Sequence, residues 1–211
     1  GVMSLASGSS SSRTQVSFSG LHQLEFSNNS TSTDTTLTTA YKGGVFYANS
    51  YCTVELSNNN NVVFSGNRSM NGGVYSGSSN GQFRAIGNNS LIFADNHAVA
   101  GTGGVFSVGG TTVIDISGNK RAEFSHNTAA GKGGIICGGT LSFTNNQELL
   151  IRHNTAGGSG GAIYYDTAAT GGNFTISGNR RVEFRGNAEG STESGWLLRS
   201  IYAKNDNSST V

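Results

Sequence analysis

Apolar and polar side chains alternate in short runs along most of this chain, and the runs return in a fixed order. Within 103–134 the first run is Gly103-Gly104-Val105-Phe106. The second, Val113 to Asn119, carries Val113, Ile114 and Ile116, and the third, Ala122 to Asn127, carries Ala122 and Phe124. Apolar residues at period two predict strands. The Asn that closes the second and third runs suits a left-handed turn position, where its short amide can bond the local backbone. Three strands and three corners, followed by a fresh Gly133-Gly134-Ile135-Ile136, make one coil of a β-solenoid.

The same order recurs along the chain. The Gly-Gly strand appears as Gly43-Gly44-Val45-Phe46, Gly72-Gly73-Val74-Tyr75, Gly103-Gly104-Val105-Phe106, Gly133-Gly134-Ile135-Ile136 and Gly160-Gly161-Ala162-Ile163. An apolar residue stands three before an Asn in the second strand, at Leu56/Asn59, Ile86/Asn89, Ile116/Asn119, Phe143/Asn146 and Ile176/Asn179. The third strand repeats this at Phe64/Asn67, Phe93/Asn96, Phe124/Asn127, Ile151/Asn154 and Phe184/Asn187. From one Asn to the next within a coil the spacing is 8, 7, 8, 8 and 8 residues, so this corner has a nearly fixed geometry. A looser coil at Val16 to Phe18 and Leu24 to Asn29 precedes these. The Ser/Thr-rich segment 30–40 reads as a loop insertion, Ser194-Gly195-Trp196-Leu197 as a degraded Gly-Gly strand, and 203–211 as a frayed tail.

Alternation also assigns faces. Val54, Leu56, Ile114, Ile116, Leu141, Phe143, Phe174 and Ile176 face inward from the second strand. Val62, Phe64, Leu91, Phe93, Ala122, Phe124, Leu149, Ile151, Val182 and Phe184 do so from the third. Arg84 falls at an inward position in this register, which predicts a bulge or a shifted register there. At ~4.8 Å per coil, about six coils make a rod roughly 29 Å tall, with Phe and Asn stacked in columns and Asn amides able to form a ladder. In the Gly-Gly strands two adjacent columns are apolar: Val45, Val74, Val105, Ile135 and Ala162, and beside them Phe46, Tyr75, Phe106, Ile136 and Ile163. Adjacent strand residues point to opposite faces, so the larger column is expected outside, as an exposed contact stripe. The other arrangement has the larger column inward, or a loop over the stripe.

Composition agrees with a thin core. The 211 residues include 32 Gly, no Pro, 35% hydrophobic and 12% charged residues. A solenoid tolerates so few apolar residues because stacked backbone hydrogen bonds supply much of its stabilisation. The net charge of +1 gives no electrostatic case for nucleic acid or an anionic membrane. No apolar run is long enough to insert in a bilayer, and the start Gly1-Val2-Met3-Ser4 has no charged leader. The expectation is a soluble segment of a larger protein, since open solenoid ends expose strand edges.

Candidate chemistry is sparse. His126 and His153 hold equivalent places in successive coils and should stack, but no carboxylate or Cys completes a metal ligand set. Cys52 and Cys137 lie three coils apart, ~14 Å, too far for a bridge to each other. They read as buried thiols or as partners for another protein in an oxidising compartment. β-Helical polysaccharide lyases and hydrolases need converging carboxylates. Here Glu55 and Asp115 are two coils apart with Ala85 between them, and the column Val63, Ile92, Glu123, Leu150, Glu183 mixes acids with apolar residues. Lys120 or Arg121 with Glu123, and Arg180 or Arg181 with Glu183, read as solvated ion pairs. The residues thus point away from an enzyme and call for no cofactor or metal.

The alternation of Gly-Gly-Ala-Ile, Gly160 to Ile163, and its Val and Ile variants with Phe-x-x-Asn resembles the chlamydial polymorphic outer-membrane proteins. The Phe-x-x-Asn matches are Phe26–Asn29, Phe64–Asn67, Phe93–Asn96, Phe124–Asn127, Phe143–Asn146 and Phe184–Asn187. The resemblance implies a right-handed parallel β-helix from an autotransporter passenger domain, displayed at the bacterial cell surface or outer membrane. Its anchoring barrel lies outside this chain. It further implies an adhesin that binds a host-cell surface protein or glycan, with self-association of passenger segments as another partner class. The motif residues themselves, from Gly43, Gly44, Val45 and Phe46 to Phe184 and Asn187, would then supply the binding surface. A stalk that holds other parts of the protein away from the membrane is the alternative role.

Overall fold

The computed structural model describes residues 1–31, 42–166, 173–191, 195–197 and 200–204, and these form an all-β parallel β-solenoid without helix. One turn runs through Phe106–Val108, Val113–Ser117, Arg121–Ser125 and Thr128–Ala129 before the next begins at Ile136. Four complete turns of this kind span Phe46 to Ala156, and partial turns flank them. Corresponding strands stack into four sheets, one of seven strands and three of six. The expectation of three strands per coil therefore omitted a short one. The Asn corner leads into a two-residue strand such as His97–Ala98, too brief to show any alternation in sequence.

The two ends depart from expectation. Met3–Leu5 pairs with Phe46–Ala48, so the Gly-Gly sheet begins well before the first glycine pair. At the other end Gly195–Leu197 pairs antiparallel with Ala188–Ser191, and does not continue the Gly-Gly sheet. That sheet's seventh strand is Ile201–Lys204, parallel to Ile163–Asp166, so Ala203 and Lys204 are paired backbone rather than frayed tail. Segment 32–41, which holds most of the expected loop insertion, and residues 205–211 lie outside the described residues.

Stacking at one strand spacing aligns like with like. Phe64, Phe93 and Phe124 form a parallel column with ring centroids 4.9 and 4.8 Å apart, and Ile151 continues it. Phe184 holds the next place but is only partly buried, because the last turn is covered on one side; Val182 beside it is 42% exposed.

Both apolar columns of the Gly-Gly strands face inward, which overturns the expected exposed stripe. Val45, Val74, Val105, Ile135 and Ala162 are fully buried, and so, to within 1%, are Phe46, Tyr75, Phe106, Ile136 and Ile163. The opposite-face rule holds only in extended strand, and here the strand begins at the second of the two residues. The backbone bends between them, so two consecutive N–H groups donate to one carbonyl of the neighbouring turn. Val105 and Phe106 both donate to Ile135 O, at 2.9 and 2.8 Å, and Val74 and Tyr75 both donate to Val105 O. The glycines permit this bend. Gly103 has φ +66°, and a Cβ on Gly104 would lie 2.1 Å from Gly134 O.

Two Asn ladders, buried except at Asn29 and Asn179, hold the other corners. One runs Asn59, Asn88, Asn119, Asn146, Asn179; the other runs Asn29, Asn67, Asn96, Asn127, Asn154, Asn187. Asn127 shows the pattern. Its Nδ2 donates to Asn154 Oδ1 in the following turn and to Phe93 O in the preceding one, both at 2.9 Å. Its Oδ1 accepts from the backbone N and the Nδ2 of Asn96, at 3.0 and 2.9 Å. Both amide protons and both oxygen lone pairs are therefore used. The left-handed residue is the one before the Asn, not the Asn itself: Asp95, His126 and His153 have φ near +55°. The apparent register break at Arg84 disappears as well. Leu56, Ala85 and Ile116 stack, Asn88 rather than Asn89 joins the ladder, and Arg84 points outward in regular pairing without a bulge. With Asn88 in place, the Asn-to-Asn spacing is 8 residues in every coil from Asn59/Asn67 to Asn179/Asn187.

Two substitutions separate these contributions in urea denaturation. Asn127→Ala strands buried donors on Asn96 and acceptors on Phe93 and Asn154, and is expected to cost about 3 kcal/mol or more. Stability within about 1 kcal/mol of the parent would contradict the ladder. Tyr75→Phe should act oppositely, since the Tyr75 hydroxyl is buried without a hydrogen-bond partner among the described residues, and burial pushes its pKa well up. Removing that oxygen is expected to stabilise by about 1 kcal/mol, and a loss of that size would mean the hydroxyl has a partner.

Candidate functional site

The motif residues expected to bind a partner are interior, except Phe184, which is half-buried at the last turn. Gly43, Gly44, Gly72, Gly73, Gly103, Gly104, Gly133, Gly134, Gly160 and Gly161 are buried where the backbone bends, beside Val45, Phe46, Tyr75, Phe106, Ala162 and Ile163. Phe64, Phe93 and Phe124 fill the core, and Asn67, Asn96, Asn127 and Asn187 form a ladder at its edge. These residues build the scaffold, and groups available to a partner stand at the positions between them.

The outer face of the second sheet carries one ionic group. Arg84 stands between Glu55 and Asp115 in register, 3.0 Å from Glu55 and 3.9 Å from Asp115. The sequence register had placed Ala85 there.

The third sheet carries a larger group on its last three complete strands, Arg121–Ser125, Glu148–Arg152 and Arg181–Arg185. With the corner residues just before them, these strands hold Lys120, Arg121, Arg152, Arg180, Arg181 and Arg185, six of the chain's 13 Lys and Arg, against only Glu123, Glu148 and Glu183. The three carboxylates are all engaged. Glu148 bridges Arg121 at 3.5 Å and Arg181 at 3.3 Å. Glu183 takes Arg181 at 2.6 Å and a two-point contact from Arg152 at 2.7 and 3.0 Å, and Arg121 also pairs with Glu123. This decides the open pairings: Arg121 and Arg181 bind the glutamates, while Lys120 and Arg180 make no ion pair among the described residues. Leu150 holds an outward strand position between Glu123 and Glu183, yet is only 1% exposed within this charged cluster. Hydrogen bonding from Arg152 holds the Glu183 carboxyl below the usual carboxylate range, and the same contact pushes Arg152 up.

Lys120, Gln147 and Arg180 occupy equivalent corner positions in successive turns, fixed by their backbone N–H bonds to Asn88 O, Asn119 O and Asn146 O. Together with Arg121, Glu148 and Arg181 they line an open cleft of about 550 Å³. Sequence reasoning treated Lys120, Arg121, Arg180 and Arg181 only as solvated pairs with Glu123 and Glu183, and gave Gln147 and Glu148 no role. The signal for the cleft was the equivalence of Lys120 and Arg180 on either side of a neutral Gln147.

The remaining candidates are separate from this cleft. His126 and His153 stack with centroids 5.2 Å apart on exposed left-handed corners. Among the described residues no group of three or more His, Cys, Asp or Glu is placed to hold a metal ion. Burial raises the Cys52 thiol, which donates to Ala6 O at 3.1 Å. Cys137 is half-buried, not fully enclosed as a buried thiol would be. Comparison with protein-family models, curated proteins and solved structures finds no match.

The Glu183 cluster gives a pH signature. Because its carboxyl pKa is lower folded than unfolded, the stability it contributes is present above the ordinary value of 4.5 and is lost as pH falls through the lowered one. Thermal unfolding from pH 7 downward should show the parent above Glu183→Gln at neutral pH, with the two curves converging in acid. A gap that persists unchanged at the acid end would mean that the carboxylate–arginine contacts contribute nothing.

Proposed function

We propose that this chain is a non-catalytic adhesin segment, displayed on a bacterial surface and binding a host-cell protein or glycan through its outward strand faces. The observation that supports this reading is the division between interior and exterior. Every repeated motif residue serves the scaffold, which leaves the outward positions free to vary from turn to turn. Such a surface suits recognition along a rod, whereas an enzyme of this fold needs several carboxylates converging on one bond. A right-handed winding with about six coils, three long strands and one short strand in each, goes with this reading. Parallel crossovers are right-handed almost without exception. Anchoring at the outer membrane would fall to sequence outside this chain, and contact between passenger segments remains part of the proposal. The continuous Asn ladders favour one second reading, a stiff stalk that displays other parts of the protein.

Binding of the purified chain to cultured host cells distinguishes the two readings. Saturable binding, weakened by substitutions at outward positions that leave the melting temperature unchanged, is expected of an adhesin. A correctly folded chain that does not bind would favour the stalk. Release of reducing sugar from acidic or neutral polysaccharides would overturn the non-catalytic part.

A further inference from the structure

The chain's net charge of +1 hides a segregation of charge. On the last three complete strands of the third sheet, three carboxylates are spread over Arg121, Arg152 and Arg181. Lys120, Arg180 and Arg185 are exposed and make no ion pair among the described residues, so the patch carries a local surplus of three positive charges. Two of these unpaired cations, Lys120 and Arg180, sit at equivalent corners on either side of Gln147 in the cleft. They are two turns apart, ~9.6 Å at one strand spacing per turn. Each corner is held at its base by a ladder residue, the buried Asn119 or the half-buried Asn179, so the spacing is set before any ligand arrives.

We infer that this cleft binds an acidic polysaccharide lying along the solenoid axis, with Lys120 and Arg180 taking successive acidic groups and the Gln147 amide bonding a sugar hydroxyl between them. This names a ligand class for the outward-face reading proposed above and rests on it. The lining favours a glycan over other polyanions. All six lining residues are polar and none is aromatic, so nucleic-acid bases find no stacking platform. The same lining lacks the apolar and aromatic anchors that dominate protein–protein contacts. Two cations at a fixed separation, with a neutral donor and acceptor between them, match a chain that alternates acidic groups with hydroxyls. The shared chemistry is the anionic sugar, and either sulfate or carboxylate could supply the charge.

The test measures heparin binding to the purified chain by calorimetry over a range of salt, with hyaluronan, dextran and duplex DNA as comparisons. Heparin is expected to bind saturably and dextran not to bind. The double variant Lys120→Gln/Arg180→Gln should weaken heparin binding roughly tenfold and lower the slope of log affinity against log salt by about two, one per cation removed. Gln147→Glu should weaken it as well, by placing a carboxylate between the two cations. Lys42→Gln/Arg68→Gln removes the same net charge from exposed sites elsewhere and should bind like the parent. Heparin well above hyaluronan assigns sulfate as the group recognised; equal binding assigns carboxylate; both support the inference. Absence of saturable heparin binding, equal weakening by the two double variants, or equally tight binding of duplex DNA at the same salt would overturn it. Host-cell binding separates this inference from the reading beneath it. A chain that binds cells but not heparin keeps the adhesin reading and loses the glycan site. A chain that binds heparin but not cells keeps the site and loses the adhesin reading.

Discussion

A fully satisfied carboxamide, repeated at one strand spacing, is the interaction on which the rest of this solenoid depends. Each interior Asn of the two ladders bonds through both its Nδ2 and its Oδ1 to groups in the turns before and after it, as Asn127 does with two bonds given and two accepted. Only Asn meets this demand. Asp lacks the donors, Gln is a methylene too long for the same corner, and Ser lacks the second donor. Because the amide reaches the carbonyl of the Phe one turn back, the Phe-x-x-Asn spacing describes a link between turns rather than within one. A ladder only partly satisfied would cost more than an apolar corner, so every turn must conform.

The same constraint explains why the outer surface is free to differ. Backbone bends at the glycine pairs and Asn amides at the other corners set the path of the chain without using outward side chains. The charged cluster on the third sheet is one product of that freedom. Its glutamates are shared among arginines from neighbouring turns, and single exposed pairs of this kind contribute little, though a network does better than its members. What the scaffold adds is position: cations at equivalent corners recur at a spacing set by the strand ladder.

Much of the fold was legible because a repeat announces itself many times. Gly-Gly pairs and apolar-x-x-Asn runs marked the interior, and the inward positions of the middle coils match the buried side chains. Failures came where a local rule met a bend. Alternation placed Val105 and Phe106 on opposite faces, yet a shared carbonyl acceptor turns both inward. In the second strand of one coil, Ile86 looked like the core residue because it is larger than Ala85, and choosing it displaced Arg84 and the ladder Asn by one. The constant spacing of eight residues was the better guide. The two-residue strands were invisible for want of length. Net charge concealed the patch, because the acids and bases cancel over the chain and not over the surface.

The central claim is that the Asn column is interior and bonded along the axis, which makes the repeats scaffold and leaves the outward positions free to differ. Hydrogen exchange of Asn side-chain amides, followed by NMR, tests it most directly. The Nδ2 protons of Asn96, Asn127 and Asn154 should be strongly protected, while those of the exposed Asn58 and Asn60 exchange at rates close to a free peptide. Equal, rapid exchange at all five positions would contradict the ladder and, with it, the assignment of the motifs to the interior.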